Sequence, residues 1–247
     1  MRKSDYSSIA VYYDKARPEP ADVWIKTIVE LAGMTPDSRT LDVGCGTGRF
    51  AVRVSQHLKR PSYGVDSSVD MLKKAAARAA NVTWVAGDAH SLPFESGSFD
   101  CAYMTMVIHH IEKRGTALRE IRRVLRPGGK LLIMTSSHSA IRVHVLRHFP
   151  GVVATDLKRF PPIPVLKGEM RRAAFRNVRS RLVRHREAEI PLEKYLSMVK
   201  NKYISTFTVM DERRFERGLK IFEERLARVY GKTMRRTLAF TFVTGEK

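Results

Sequence analysis

Residues 41–50 read Leu-Asp-Val-Gly-Cys-Gly-Thr-Gly-Arg-Phe, and this stretch constrains the chain more than any other. An apolar run ends in an acid, glycines stand at positions 44, 46 and 48, and helix-forming residues follow. Such a strand, turn and helix belong to an α/β layer fold, and the glycines let the backbone take positive φ and lie close against a ligand. Two nucleotide-binding readings fail on the same residues. A dinucleotide fingerprint needs a small residue at position 49 to pack helix on strand beside a pyrophosphate, and this chain has Arg49. No Gly-Lys-Ser/Thr follows, so a P-loop for a nucleoside triphosphate fails as well. Asp66 stands 24 residues after Asp42 at the end of the next apolar run, where an acid accepts hydrogen bonds from both hydroxyls of a ribose. The expected ligand is an adenosine that brings no phosphates to the turn.

Gly, Pro and Asp breaks divide the first 137 residues into elements of two alternating periods. A helix is expected over 21–31, with Trp24, Ile28 and Leu31 on one face, then a strand ending at Asp42, a helix over 49–58 and a strand over 62–65. Ser67 is placed to cap the next helix, in which Met71, Leu72, Ala75, Ala76 and Ala79 recur at helical spacing. Strands over 82–86, 99–104 and 130–135 follow, with a helix over 116–125 that Pro127-Gly128-Gly129 stops. Beyond Ser136 a basic helical insert is expected over 138–176, broken by Pro150, Pro161, Pro162 and Pro164. Strands over 175–190 and 236–245, with helices over 192–201 and 211–230 between them, close the sheet. The expected fold is a single α/β domain, a Rossmann-like seven-stranded mostly parallel sheet with helices on both faces and a helical insert after the fifth strand. Residues 1–137 form its cofactor-binding half, 138–176 the insert and 177–247 the sheet-closing and substrate half.

Charge bears on partners rather than fold. The chain has 247 residues, with 45 Lys and Arg against 25 Asp and Glu, a net charge of +20. The first 137 residues hold 20 basic and 14 acidic groups, and the rest hold 25 and 11. The densest run, 170–186, has seven arginines and no acid, a field that attracts polyanions or acidic surfaces. No apolar run reaches the length of a membrane span, and Met1-Arg-Lys-Ser-Asp is not followed by the apolar stretch of a signal peptide. Cys45 and Cys101 are too few for a disulfide framework and have no zinc spacing, which fits a cytoplasmic protein without a metal. His144 and His148 share helical spacing without the glutamate of a zinc protease motif.

Five pieces in order make the chain resemble the class I S-adenosylmethionine-dependent methyltransferases, and within them the group similar to the ubiquinone/menaquinone-biosynthesis methyltransferases. They are Tyr13-Asp-Lys-Ala-Arg-Pro18, Leu41 to Phe50, Gly64-Val-Asp66, Gly87-Asp-Ala-His-Ser-Leu-Pro-Phe94 with Phe99-Asp100 after it, and Arg123-Val-Leu-Arg-Pro-Gly-Gly129. The resemblance covers residues 5–137 and extends only loosely beyond. It implies S-adenosyl-L-methionine as cofactor, with Gly44, Cys45 and Gly46 along its methionine part and Asp42 orienting the ammonium. It implies Asp66 on the ribose hydroxyls, Ser67 and Met71 flanking adenine and ribose, Asp88 accepting from the adenine amino group and Ala89 against the ring. Met104 or Thr105 would approach the activated methyl, and Tyr13 and Arg17 would fold over the cofactor as a lid.

Sulfonium chemistry needs alignment above all, and positioning supplies roughly 7–11 kcal/mol of such a barrier. Where the nucleophile must lose a proton, His109 and His110 are the candidate catalytic bases, since imidazole titrates at about 6.5. The substrate is read in two ways. The leading expectation is RNA, rRNA or tRNA, with Arg171, Arg172 and Arg176 on phosphates and Tyr195, Tyr203 and Phe207 stacking on unpaired bases. The alternative is a small-molecule or lipid-quinone acceptor. The Asn/Asp-Pro-Pro-aromatic motif of many base-amine methyltransferases is replaced by Thr105-Met-Val-Ile108. A third reading, a non-catalytic cofactor-binding module, would be marked by a broken glycine turn or lost acids, and here both are intact.

Overall fold

The computed structural model describes residues 19–78 and 81–247. Its elements run α1 (Asp22–Ala32), β1 (Thr40–Val43), α2 (Arg49–Leu58), β2 (Ser62–Asp66), α3 (Val69–Arg78), β3 (Val82–Ala86), β4 (Phe99–Thr105), α4 (Arg114–Val124) and β5 (Leu125–Thr135). There follow α5 (His138–Val143), α6 (Val152–Arg159), α7 (Ile163–Arg172), β6 (Arg176–Arg186), β7 (Ile190–Pro191), α8 (Leu192–Lys200), α9 (Ser205–Thr208), α10 (Glu212–Tyr230), β8 (Thr233–Met234) and β9 (Thr237–Glu246). The chain divides into two compact units, each drawn from separate stretches. Residues 19–135, 161–182 and 241–247 belong to the larger, and 136–160 and 183–240 to the other.

Seven strands form one sheet in the order β3-β2-β1-β4-β5-β9-β6. The pairings among β1 to β5 are parallel, and β9 runs antiparallel to β5. The β1 residues alternate in role. Leu41 and Val43 join Met104, Leu131 and Ile133 in a core that α4 covers with Leu118 and Ile121 and α7 with Leu166 and Met170. Full burial of each such side chain is worth about 1.5–3 kcal/mol. Asp42 points to the opposite face, where its Cα partner on β4 is Tyr103. On α1, Trp24 is buried and stacks on Phe242 of β9 with ring centroids 6.3 Å apart.

Local chemistry moves three expected boundaries. Ser68, not Ser67, caps α3, its hydroxyl accepting from the Met71 N–H at 3.4 Å. Pro127-Gly128-Gly129 does not separate helix from strand; α4 ends at Val124, and β5 carries these residues as a bulge between its pairings with Phe99 and Cys101. The strand expected over 175–190 ends at Arg186, and Ile190–Pro191 pairs with β8 in a separate two-stranded sheet. Pro191 has no N–H to continue a ladder.

The other unit has its own core, in which Phe149 lies 4.9–5.7 Å from the rings of Phe207, Phe215 and Phe222. Beside it Arg159 is buried with Asp156, and donates to the hydroxyls of Thr206 at 3.1 Å and Ser205 at 2.9 Å. Among the described residues no helix is long and apolar enough to cross a membrane.

Candidate functional site

The glycine turn sits where β1 meets α2. The Gly44 and Cys45 N–H groups both donate to the Val65 carbonyl, at 2.8 and 3.1 Å, so the turn is bound to the end of β2. Gly46 and Gly48 have φ of +54° and +77°, in the left-handed region that other residues enter only at a cost. They differ in surroundings. A Cβ on Gly48 would meet the Trp84 ring at 2.3 Å, whereas one on Gly46 would meet nothing within 4 Å. Gly44 lies against Val107, whose methyls a Cβ would touch at 2.6 Å. The turn is thus packed at both ends and open in the middle, the shape a ligand needs to approach backbone.

An acid stands at or within two residues of the end of each of the first three strands. Asp66 closes β2, and its carboxylate accepts from the Gly46 N–H at 2.8 Å and the Ser68 N–H at 2.9 Å. Burial raises its pKa, and the backbone N–H groups of Ser68, Gly46 and Ser67 partly offset the rise. Asp88 follows β3 and accepts on Oδ1 from the His90 N–H at 2.9 Å, with His90 Nδ1 2.6 Å away. Asp42 is fully buried, neither of its oxygens has a hydrogen-bond partner among the described residues, and burial followed by the nearby Asp66 pushes its pKa well up. Tyr103, its neighbour across the strand pair, is equally buried and its hydroxyl equally unpartnered. Buried polar groups are nearly always satisfied, so two orphans in register call for a ligand group between or beside them. Tyr103 was missed in the sequence because it reads as one apolar position among several on a buried strand.

The remaining sequence candidates fall as follows. Ser67 is exposed, Ala89 half-buried and Met71 buried at the start of α3. Met104 is fully buried in the core on the α4 and α7 side, so of the two residues expected near the methyl only Thr105 keeps exposed surface at the end of β4. After it the backbone turns sharply, with Met106 at φ +57°, a strained state for a non-glycine residue. His109 and His110 occupy the short 3-10 turn Ile108–His110, ring centroids 4.0 Å apart. Tyr13 and Arg17 lie outside the described residues, as does Ala79. Both cysteines are free and buried. Burial, then Asp42 and Asp66, raises the Cys45 pKa strongly, and Cys101 is pushed up to about 11 while donating to the Ala32 carbonyl. Both shifts and the burial disfavour a thiolate at either position.

Of the residues expected on substrate, Arg171 and Arg172 end α7 and Arg176 begins β6, all exposed. Tyr195 and Phe207 correct the stacking expectation: both are fully buried in the core of the other unit and offer no ring face to a base. Tyr203 is half-buried, its hydroxyl 3.2 Å from that of Tyr195.

Residues 41–133 match the protein family described as "Methyltransferase domain". A demethylmenaquinone methyltransferase of Staphylococcus aureus is 32% identical over 147 residues, 56% of this chain and 61% of that one. The chain covers 37–61% of the length of the first curated relatives it matches. Among solved structures, a putative methyltransferase from an antibiotic biosynthesis pathway of Anabaena variabilis superposes with a TM-score of 0.75 at 21% identity, over 92% of this chain and 98% of that one. Phosphoethanolamine N-methyltransferase 2 of Haemonchus contortus, solved with S-adenosylhomocysteine, gives 0.62 at 18% identity, over 98% and 57%. Residues 41–133 thus match a methyltransferase domain, and the fold that carries them is that of the class I S-adenosylmethionine-dependent methyltransferases.

Proposed function

We propose that this chain transfers a methyl group from S-adenosylmethionine to a small-molecule acceptor. The observation that carries the cofactor assignment is the row of acids, Asp42, Asp66 and Asp88, at the ends of three successive strands around an open glycine turn. Pyrophosphate would be repelled there, whereas a nucleoside bearing an ammonium and a sulfonium is matched in charge. Asp42 with Tyr103 holds the ammonium, Asp66 takes the ribose hydroxyls and Asp88 the adenine amino group. When bound, the cofactor supplies a methyl already activated for in-line displacement. Thr105 borders the approach to that methyl, and His109 or His110 takes a proton where the acceptor must lose one.

Support for a small acceptor comes from the relatives, since the curated matches of known activity include demethylmenaquinone methyltransferases. RNA, the leading expectation from the sequence, loses two of its three stacking aromatics, Tyr195 and Phe207, to the core. Five of the seven arginines in the basic run lie on β6, the last strand of the sheet. Charged edge strands have a structural purpose of their own. The test is to incubate purified protein with radiolabelled S-adenosylmethionine and, separately, total RNA and an organic extract from a host strain lacking the gene. Label in the organic fraction is expected; label confined to RNA overturns the small-molecule reading.

A further inference from the structure

At the other end of the same sheet lies a second charged feature. The loop before β4 and the close of α4 border an open cleft of about 430 Å³, lined by Ser96, Arg119, Arg122, Arg123, Arg172 and Lys247 together with Ala173 and Ala174. No Asp or Glu is among its lining residues. Seven residues of β4 separate this end from the glycine-turn end, about 20 Å at the usual rise per residue. An acceptor held here does not reach a methyl delivered at Thr105.

The five cations do different work. Arg123 is committed to the fold: it donates to Glu120 through Nε and to the Phe94 and Leu92 carbonyls, at 2.7–3.0 Å. Lys247 donates to the Arg123 and Leu125 carbonyls, closing the exposed C-terminal end of α4. Among the described residues Arg119, Arg122 and Arg172 have no Asp or Glu partner. Arg119 donates to Thr116 Oγ1 at 3.3 Å, and Arg122 is oriented by one bond from Nε to the Ala174 carbonyl at 3.1 Å. Helix C-termini favour cations, which explains one such residue at the end of each helix. That preference does not require three unpaired guanidiniums converging from α4 and α7, with Arg119 and Arg122 at a repulsive i,i+3 spacing. Guanidinium forks match phosphate oxygens in geometry as well as charge. A cleft of this volume lies in the range of small-ligand sites.

We propose that this cleft is a binding site for the phosphate groups of a small phosphorylated ligand, gripped by Arg119, Arg122 and Arg172 over a frame of Arg123 and Lys247. Calorimetric titration with inorganic pyrophosphate, at about physiological ionic strength to screen the general field, tests it. Saturable one-to-one binding is expected, weakened about tenfold or more in the variant Arg119→Gln/Arg122→Gln/Arg172→Gln. The charge-matched variant Arg213→Gln/Arg217→Gln/Arg228→Gln, on the exposed face of α10, is expected to bind as the parent does. Equal loss in both variants, or no saturable binding by the parent, overturns the proposal. A single-stranded RNA oligonucleotide that outcompetes pyrophosphate and depends on the same three arginines overturns it in favour of a nucleic-acid backbone. S-adenosylhomocysteine titrated into the same proteins is expected to bind all three alike. A parent that takes pyrophosphate but no S-adenosylhomocysteine overturns the cofactor reading and leaves this one standing.

Discussion

Asp42 and Tyr103 set the residue-scale chemistry, because each holds a polar group out of water without a partner among the described residues. The pKa of Asp42 is raised in the folded protein above its ordinary 3.8, so the native state binds its proton more tightly than the unfolded chain does. The stability this contributes is full below the unfolded pKa and is lost as pH rises towards the folded one. Asp42→Asn is therefore expected to melt above the parent at pH 7.5 without ligand, the gap closing as pH falls towards 4, while calorimetry shows S-adenosylhomocysteine affinity reduced about tenfold or more. A gap that stays constant with pH would mean that Asp42 does not titrate with folding. Tyr103→Phe removes an unsatisfied hydroxyl at little change in volume and is expected to raise ligand-free stability by about 1–2 kcal/mol in urea unfolding. Destabilisation by the same change would show that the hydroxyl has a partner.

At the scale of elements the glycine turn separates stability from binding. Gly48→Ala drives a Cβ into the Trp84 ring in a left-handed conformation and is expected to cost about 2–4 kcal/mol in denaturant unfolding. Gly46→Ala meets no neighbour and is expected to cost only about 1 kcal/mol, yet to abolish cofactor binding by filling the open centre of the turn. Equal stability losses would refute the division. The strand β6 makes a different prediction. Its exposed Arg179, Arg181 and Arg184 stand on the edge of the sheet; replacing all three with Thr is expected to leave the melting temperature near that of the parent and to produce self-association in light scattering. The sequence made β1, β2 and β3 legible because their apolar runs end at Asp or Gly. It misplaced what depends on a single hydrogen bond or on distant pairing: the cap at Ser68, the bulge within β5, and the end of β6. The position of β9 between β5 and β6 has no local signal at all, since it is decided by which edge the last strand meets.

For the whole molecule the net charge of +20 acts against compactness, and the ion pairs do not cancel it. Most of them, such as Lys73 with Asp70 and Arg181 with Glu30, join exposed side chains and contribute about 0–1 kcal/mol each. The tighter ones, Arg236 with Glu187 and Arg114 with Glu169, are shielded from salt by partial burial. Screening should thus weaken the long-range repulsion of many unpaired cations more than it weakens the few pairs that matter. Raising sodium chloride from about 20 mM to about 300 mM, which shortens the Debye length from roughly 20 Å to 6 Å, is expected to raise the melting temperature. A relief of about 1–2 kcal/mol corresponds to a rise of about 2–8 °C for a chain of this size. A fall would mean that specific pairs outweigh repulsion and that the excess of arginine is balanced locally in the fold. A rise repeated with potassium chloride, and with no further gain from RNA at the same ionic strength, would assign the charge to self-repulsion and solubility, the outcome that the small-molecule reading of the active site requires.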